Sequence, residues 1–144
     1  MPDTITFPYA RAYSEGGRSG GHMIRMPYVD VEYEADSGRR YRTSALVDSG
    51  AAWSSISEAI AAGHFNFDIE NCPRREVQPL DTDKPTTWPY QEMTLTLLGK
   101  TIRCDVLFAP SPIPVIGHIP IFSHFLFAFQ GSQLPGSYRL LYRP

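Results

Sequence analysis

Apolar and polar residues alternate with a period of two over much of this chain, the spacing of strands with one buried face. From Tyr28 to Glu34, Val29, Val31 and Tyr33 share one side and Asp30, Glu32 and Glu34 the other. Arg40 to Val47 repeats the pattern, with Tyr41, Thr43, Ala45 and Val47 opposed to Arg40, Arg42 and Ser44. Asp36-Ser37-Gly38 between them is turn chemistry, so the two runs predict an antiparallel hairpin. Met93, Leu95 and Leu97 alternate with Thr94 and Thr96, and Gly99-Lys100 turns the chain. Ile102, Cys104, Val106 and Phe108 answer in a second hairpin. Phe125, Phe127 and Phe129 make another strand face, and Ser137 to Tyr142 one more. Ile5 and Phe7 begin the chain as a strand that Pro8 confines to an edge.

Helical spacing is confined to two short stretches. Ser57 to Ala62 reads as a helix capped by Ser57 and stopped by Gly63, and Ile119 to His124 as a brief one entered through Pro120. The expected fold is therefore all-β, a single domain closed into a barrel with one or two short helices. Residues 1–22, a strand and a glycine-rich loop, belong to the same domain as residues 23–144. That loop, Ser14 to Gly21, lacks the Gly-Lys-Ser/Thr of a phosphate cradle and reads as a plain loop. Phe65 to Tyr90, rich in Pro, Asp and Thr, has no clear period.

One stretch departs from ordinary strand and turn patterning. In Ala45-Leu46-Val47-Asp48-Ser49-Gly50-Ala51, an apolar run ends on a carboxylate and turns through small residues. An acid so placed is shielded from water, and its pKa is expected to move. Asp36-Ser37-Gly38 is the same tripeptide between Glu34-Ala35 and Arg39-Arg40, a solvated setting. The frame around Asp48 carries the signal, and the tripeptide alone does not. A simple turn-forming role for Asp48 is the plainer alternative.

Leu46-Val47-Asp48-Ser49-Gly50-Ala51, with Ser54 and Ile56 behind it, resembles the active-site signature of retropepsin-like aspartic proteases. Pro114-Val115-Ile116-Gly117, followed by Ile121-Phe122 and Phe125 to Phe129, resembles the later apolar-apolar-Gly element, short helix and last strand of that family. The likeness covers roughly Met23 to Gln130. It implies Asp48 as the catalytic acid, Ser49 bonding across a dimer axis, and Gly50 presenting its carbonyl to substrate. It also implies Ala51 in the same loop, Gly117 packed beside it, and Val115 and Ile116 as its apolar floor. By position Phe65 to Tyr90 holds the flap over the substrate, with Trp88 and Tyr90 as groove residues; as aromatics beside prolines they equally suit loop anchors. The chemistry needs two carboxylates sharing a proton, and the chain has one embedded Asp. A two-fold homodimer supplies the pair.

Three positions depart from the family pattern. Ala52 stands where a polar residue often grips substrate, His118 where many members carry Arg, and Ile119 where Asp or Asn is common. The flap segment also lacks a glycine after Gly63. His22, His64, His118 and His124 show no zinc spacing, and no GxSxG elbow surrounds Ser49, Ser54 or Ser55. Asp105 reads as an outward strand residue.

The chain has 144 residues, 42% of them hydrophobic, enough for one core. A formal net charge of −2 argues against nucleic-acid or acidic-membrane partners. No run approaches a transmembrane span, and Met1-Pro2-Asp3-Thr4 does not open a signal peptide, so a cytoplasmic protein is expected. Cys72 and Cys104 are read as reduced thiols. Two functions fit: a homodimeric aspartic endopeptidase, without metal or cofactor, acting on peptides or proteins, or a non-catalytic peptide-binding and dimerisation module of the same fold.

Overall fold

The computed structural model describes residues 4–8, 10–14, 22–78, 83–130 and 137–142. The two alternating runs form strands β4 (Tyr28–Glu34) and β5 (Arg40–Val47), paired antiparallel from Tyr28 with Leu46 to Glu34 with Arg40. The turn between them closes where the Gly38 N–H donates to the Ala35 carbonyl at 2.8 Å. Gly38 sits there at a φ of 85°, a conformation open to glycine at little cost.

The second hairpin pairs β8 (Thr86–Leu97) with β9 (Lys100–Ala109). Its turn residues are Leu98 and Gly99, both at positive φ, one position earlier than the expected Gly99-Lys100. Tyr33, Met93, Leu95, Val106 and Phe108 are fully buried and meet in a single core. The period-two pattern fixes which side chains enter this core, because successive strand residues point to opposite faces.

The helix α1 (Glu58–Gly63) begins where Ser57 Oγ accepts from the Ile60 N–H at 3.1 Å. It follows β6 (Ser54–Ser57), which runs parallel to β9. A second short helix, α2 (Ile121–His124), follows Pro120. The strand β10 (Val115–Ile116) lies between β5 and β6, parallel to the first and antiparallel to the second. The region without a clear period yields β7 (Arg74–Val77), paired antiparallel with Thr86–Pro89 of β8.

The seven-stranded sheet runs β4-β5-β10-β6-β9-β8-β7, and β4 also meets β8 through Glu32–Glu34 against Thr94–Thr96. The chain is thus all-β with short helices, but the expected closed barrel is not what forms. Among the described residues the strands divide into three sheets, and β7 projects beyond the β4–β8 contact. The strand β8 is long, and its far end pairs with β9 and β4 while its near end pairs with β7 alone. In addition, β1 (Thr4–Pro8), β12 (Ser137–Tyr142) and β11 (Phe125–Gln130) pair among themselves, with β1 at an edge as Pro8 requires. The strands β2 (Ala10–Ser14) and β3 (His22–Met26) make a separate pair. Most of the glycine-rich loop, residues 15–21, lies outside the described residues.

Candidate active site

The strand β5 ends at Val47, whose side chain is buried, and Asp48 follows at the start of a tight turn. Two hydrogen bonds shape that turn, one to the Asp48 backbone and one to its side chain. The Ala51 N–H donates to the Asp48 carbonyl at 3.2 Å, and the Gly50 N–H donates to Asp48 Oδ1 at 2.8 Å. Asp48 is half-buried, while Ser49 and Gly50 are exposed. The carboxylate is thereby oriented by its own loop through one oxygen. Among the described residues Oδ2 makes no hydrogen bond and is available to solvent or substrate.

The loop is held from below by the second motif. Val115 pairs with Leu46 and Ile116 with Val47, and the Asp48 N–H donates to the Ile116 carbonyl at 3.0 Å. The Gly117 N–H donates to the buried Ser54 Oγ at 3.1 Å. A methyl group on Gly117 would lie 2.5 Å from the Trp53 carbonyl oxygen and 2.8 Å from that of Ala51, distances real side chains do not reach. Only glycine lets the two segments approach so closely.

Asp48, Gly50, Ala51 and Val115 line a cleft of about 400 Å³. Ala52, Trp53, Leu107 and Ala109 extend its mostly apolar wall, and Val77 and Trp88 reach it from the β7–β8 hairpin. The structure therefore brings together Asp48, Gly50, Ala51, Val115 and Trp88. Ile116 is buried beneath the loop, Gly117 is wedged against it, and Ser49 faces outward. Tyr90 is placed elsewhere. Its N–H donates to the Pro73 carbonyl, and its ring lies under the Arg75 guanidinium, 4.8 Å from the ring centroid. Trp88 and Tyr90 share a face of β8, but Tyr90 lies two residues further along, opposite Leu107, where the Arg75 guanidinium covers its ring.

Arg75 escapes sequence reasoning, and the contacts of His118 go beyond the departure from the family pattern noted for it. Arg75 donates to Asp105 Oδ2 through both Nε and Nη2 and covers the Trp53 ring at 4.4 Å. Asp105 is thus not a free outward carboxylate. The bond to Asp105 raises the Arg75 pKa further above its ordinary value. His118 is exposed, but its Nε2 donates to the Ser49 carbonyl at 2.6 Å and its backbone N–H to the Ala51 carbonyl at 2.9 Å. Its ring also meets that of Phe122 at 4.2 Å between centroids. The position directly after the motif glycine was the available signal for His118. For Arg75 none existed, because its partners lie on other strands.

Among the described residues no three His, Cys, Asp or Glu side chains gather as a metal site would require, and no helix is long and apolar enough to cross a membrane. No protein-family model matches the chain, and no curated protein matches its sequence.

Proposed function

We propose that this chain is a retropepsin-like aspartic endopeptidase that works as a homodimer, each subunit contributing Asp48 to a shared pair. The observation that carries the reading is the position of Asp48. It stands at the start of a glycine turn locked by Ile116 and Gly117, at the wall of a mostly apolar cleft that the β7–β8 strand pair also lines.

Two such carboxylates a few ångströms apart cannot both ionise readily, so the working pair shares one proton, which favours activity on the acid side of neutral. The ionised member takes a proton from a water molecule as its oxygen attacks the peptide carbonyl carbon. The protonated member gives its proton to the carbonyl oxygen, leaving a tetrahedral diol. Collapse of the diol breaks the C–N bond, and the nitrogen leaves with a proton returned from the pair. Ser49 and Gly50, exposed beside Asp48, are the groups we assign to the subunit contact and to the substrate backbone. The apolar wall formed by Trp53, Leu107, Val115 and Trp88 suits apolar side chains flanking the cut.

Ala52 favours a second reading, a peptide-binding module without turnover, because it brings no polar side chain to the cleft wall. Incubating wild type and Asp48→Asn with a peptide library, with and without chelator, separates the two. Cleavage by the wild type alone, indifferent to chelator, supports the enzyme. Binding of peptides without cleavage by either protein supports the module.

A further inference from the structure

Arg75 sits where four segments meet. It belongs to β7, near the root of the β7–β8 hairpin, whose Val77 and Trp88 line the cleft. Its guanidinium covers Trp53 of the Asp48 loop at 4.4 Å on one side and Tyr90 of β8 at 4.8 Å on another. Asp105 of β9 accepts from two of its nitrogens. Arg75 also pairs directly with Trp88, so both side chains leave the hairpin on the same face. Trp53 and Trp88 are walls of the cleft, and Arg75 touches one while sharing a strand pair with the other.

These contacts require the particular shape of arginine. A planar guanidinium stacks on aromatic faces and bonds a carboxylate edge-on at the same time, which an ammonium group does not reproduce. The cluster is also partly shielded: the Asp105 side chain keeps only 18% of its exposure and that of Arg75 36%. Water competes less for such a pair than for an open surface bridge.

We propose that Arg75 is a positioning residue for substrate, clamping the root of the β7–β8 hairpin and the Trp53 wall to Asp105 so that the cleft keeps a fixed width. It acts through Trp53 and the hairpin, and has no part in the proton transfers. The substrate role rests on the protease reading above. The clamp itself is a property of the fold and is measurable without turnover.

The test compares wild type, Arg75→Lys, Arg75→Gln and Asp105→Asn by amide hydrogen exchange, and then by cleavage of a peptide the wild type cuts. Loss of a charge-assisted bond and a ring stack is expected to speed exchange at residues 74–77 and 86–90 roughly tenfold. Exchange in the core segments 93–97 and 102–106 should stay as in wild type. In the cleavage assay Arg75→Lys should raise KM by about tenfold and leave kcat within about twofold, the mark of lost substrate positioning. Unchanged hairpin exchange in Arg75→Lys would overturn the clamp. Exchange that accelerates equally throughout the core would reduce Arg75 to a general stabiliser and overturn the proposal as well. A fall in kcat at constant KM would overturn the positioning role. If the wild type cleaves nothing, the protease reading and the substrate role fall together, and the exchange data still decide whether the clamp exists.

Discussion

Gly117 and Trp53 lie so close that a methyl on the first would come within 2.5 Å of the carbonyl oxygen of the second. The contact joins the two motif blocks, since Trp53 belongs to the loop that Asp48 opens and Gly117 ends the segment bonded to Asp48. Gly117→Ala must therefore push the blocks apart. It should destabilise the fold by about 1–3 kcal/mol, the usual cost of overpacking a rigid site. A urea titration would register this, and unchanged stability would show that the approach is looser than described.

Tyr33 presents a different kind of tension. Its ring is fully buried and, among the described residues, its hydroxyl has no hydrogen-bond partner. Burial, with lesser contributions from Cys104 and Tyr41, pushes its pKa upward. An unsatisfied buried hydroxyl costs about 1–3 kcal/mol, so Tyr33→Phe should leave stability equal or raise it. Thermal denaturation of the variant is the check, and a clear fall in midpoint would reveal a partner for that oxygen.

The acid limb of stability should follow Glu32 and Asp36. The hydrogen bond from Arg42 lowers the Glu32 pKa, and that from Arg103 lowers the Asp36 pKa. Folding thus favours their ionised forms. Their contribution is present above the unfolded carboxylate values near pH ~4 and is lost as pH falls through the lower folded values. Arg42 and both members of the Asp36–Arg103 pair are open to solvent, so the effect should be small and weaken with salt. Urea midpoints from about pH 7 down to 2 should fall less steeply in a Glu32→Gln, Asp36→Asn variant. An unaltered slope would place the acid sensitivity elsewhere.

Cys104 should be inert in the folded chain. Burial, aided by the charges of Asp105 and Glu92, pushes its thiol up to about 12. The thiolate is the reactive species, so alkylation near pH ~8 should be slow until denaturant is added. Rapid labelling of Cys104 under native conditions would mean that β9 opens readily.

The two long hairpins, the Ser57-capped helix and the pairing of the two motif blocks are legible because each rests on local pattern or on a short signature, whereas β7 arises from a stretch with no clear period. Burial of Val29, Val31, Met93, Leu95 and Val106 follows directly from period two. What was not legible depends on partners distant in sequence. Nothing in Arg74-Arg75-Glu76-Val77 announces that Arg75 will meet Asp105, Trp53 and Tyr90. The split into separate sheets was hidden for the same reason: alternation gives the face of a strand and leaves its neighbour open. Proximity along the chain groups Tyr90 with Trp88, whereas the contact of its ring with Arg75 separates them.

Whether one active site needs Asp48 from two chains is tested most directly by subunit mixing. Wild type and Asp48→Asn are equilibrated together at fixed total concentration, and cleavage of a peptide substrate is followed as the ratio changes. If only the wild-type pair is active, activity falls as the square of the wild-type fraction, to about one quarter at equal mixing. A linear fall to about one half would mean that a single chain carries a complete site, and would contradict the shared pair.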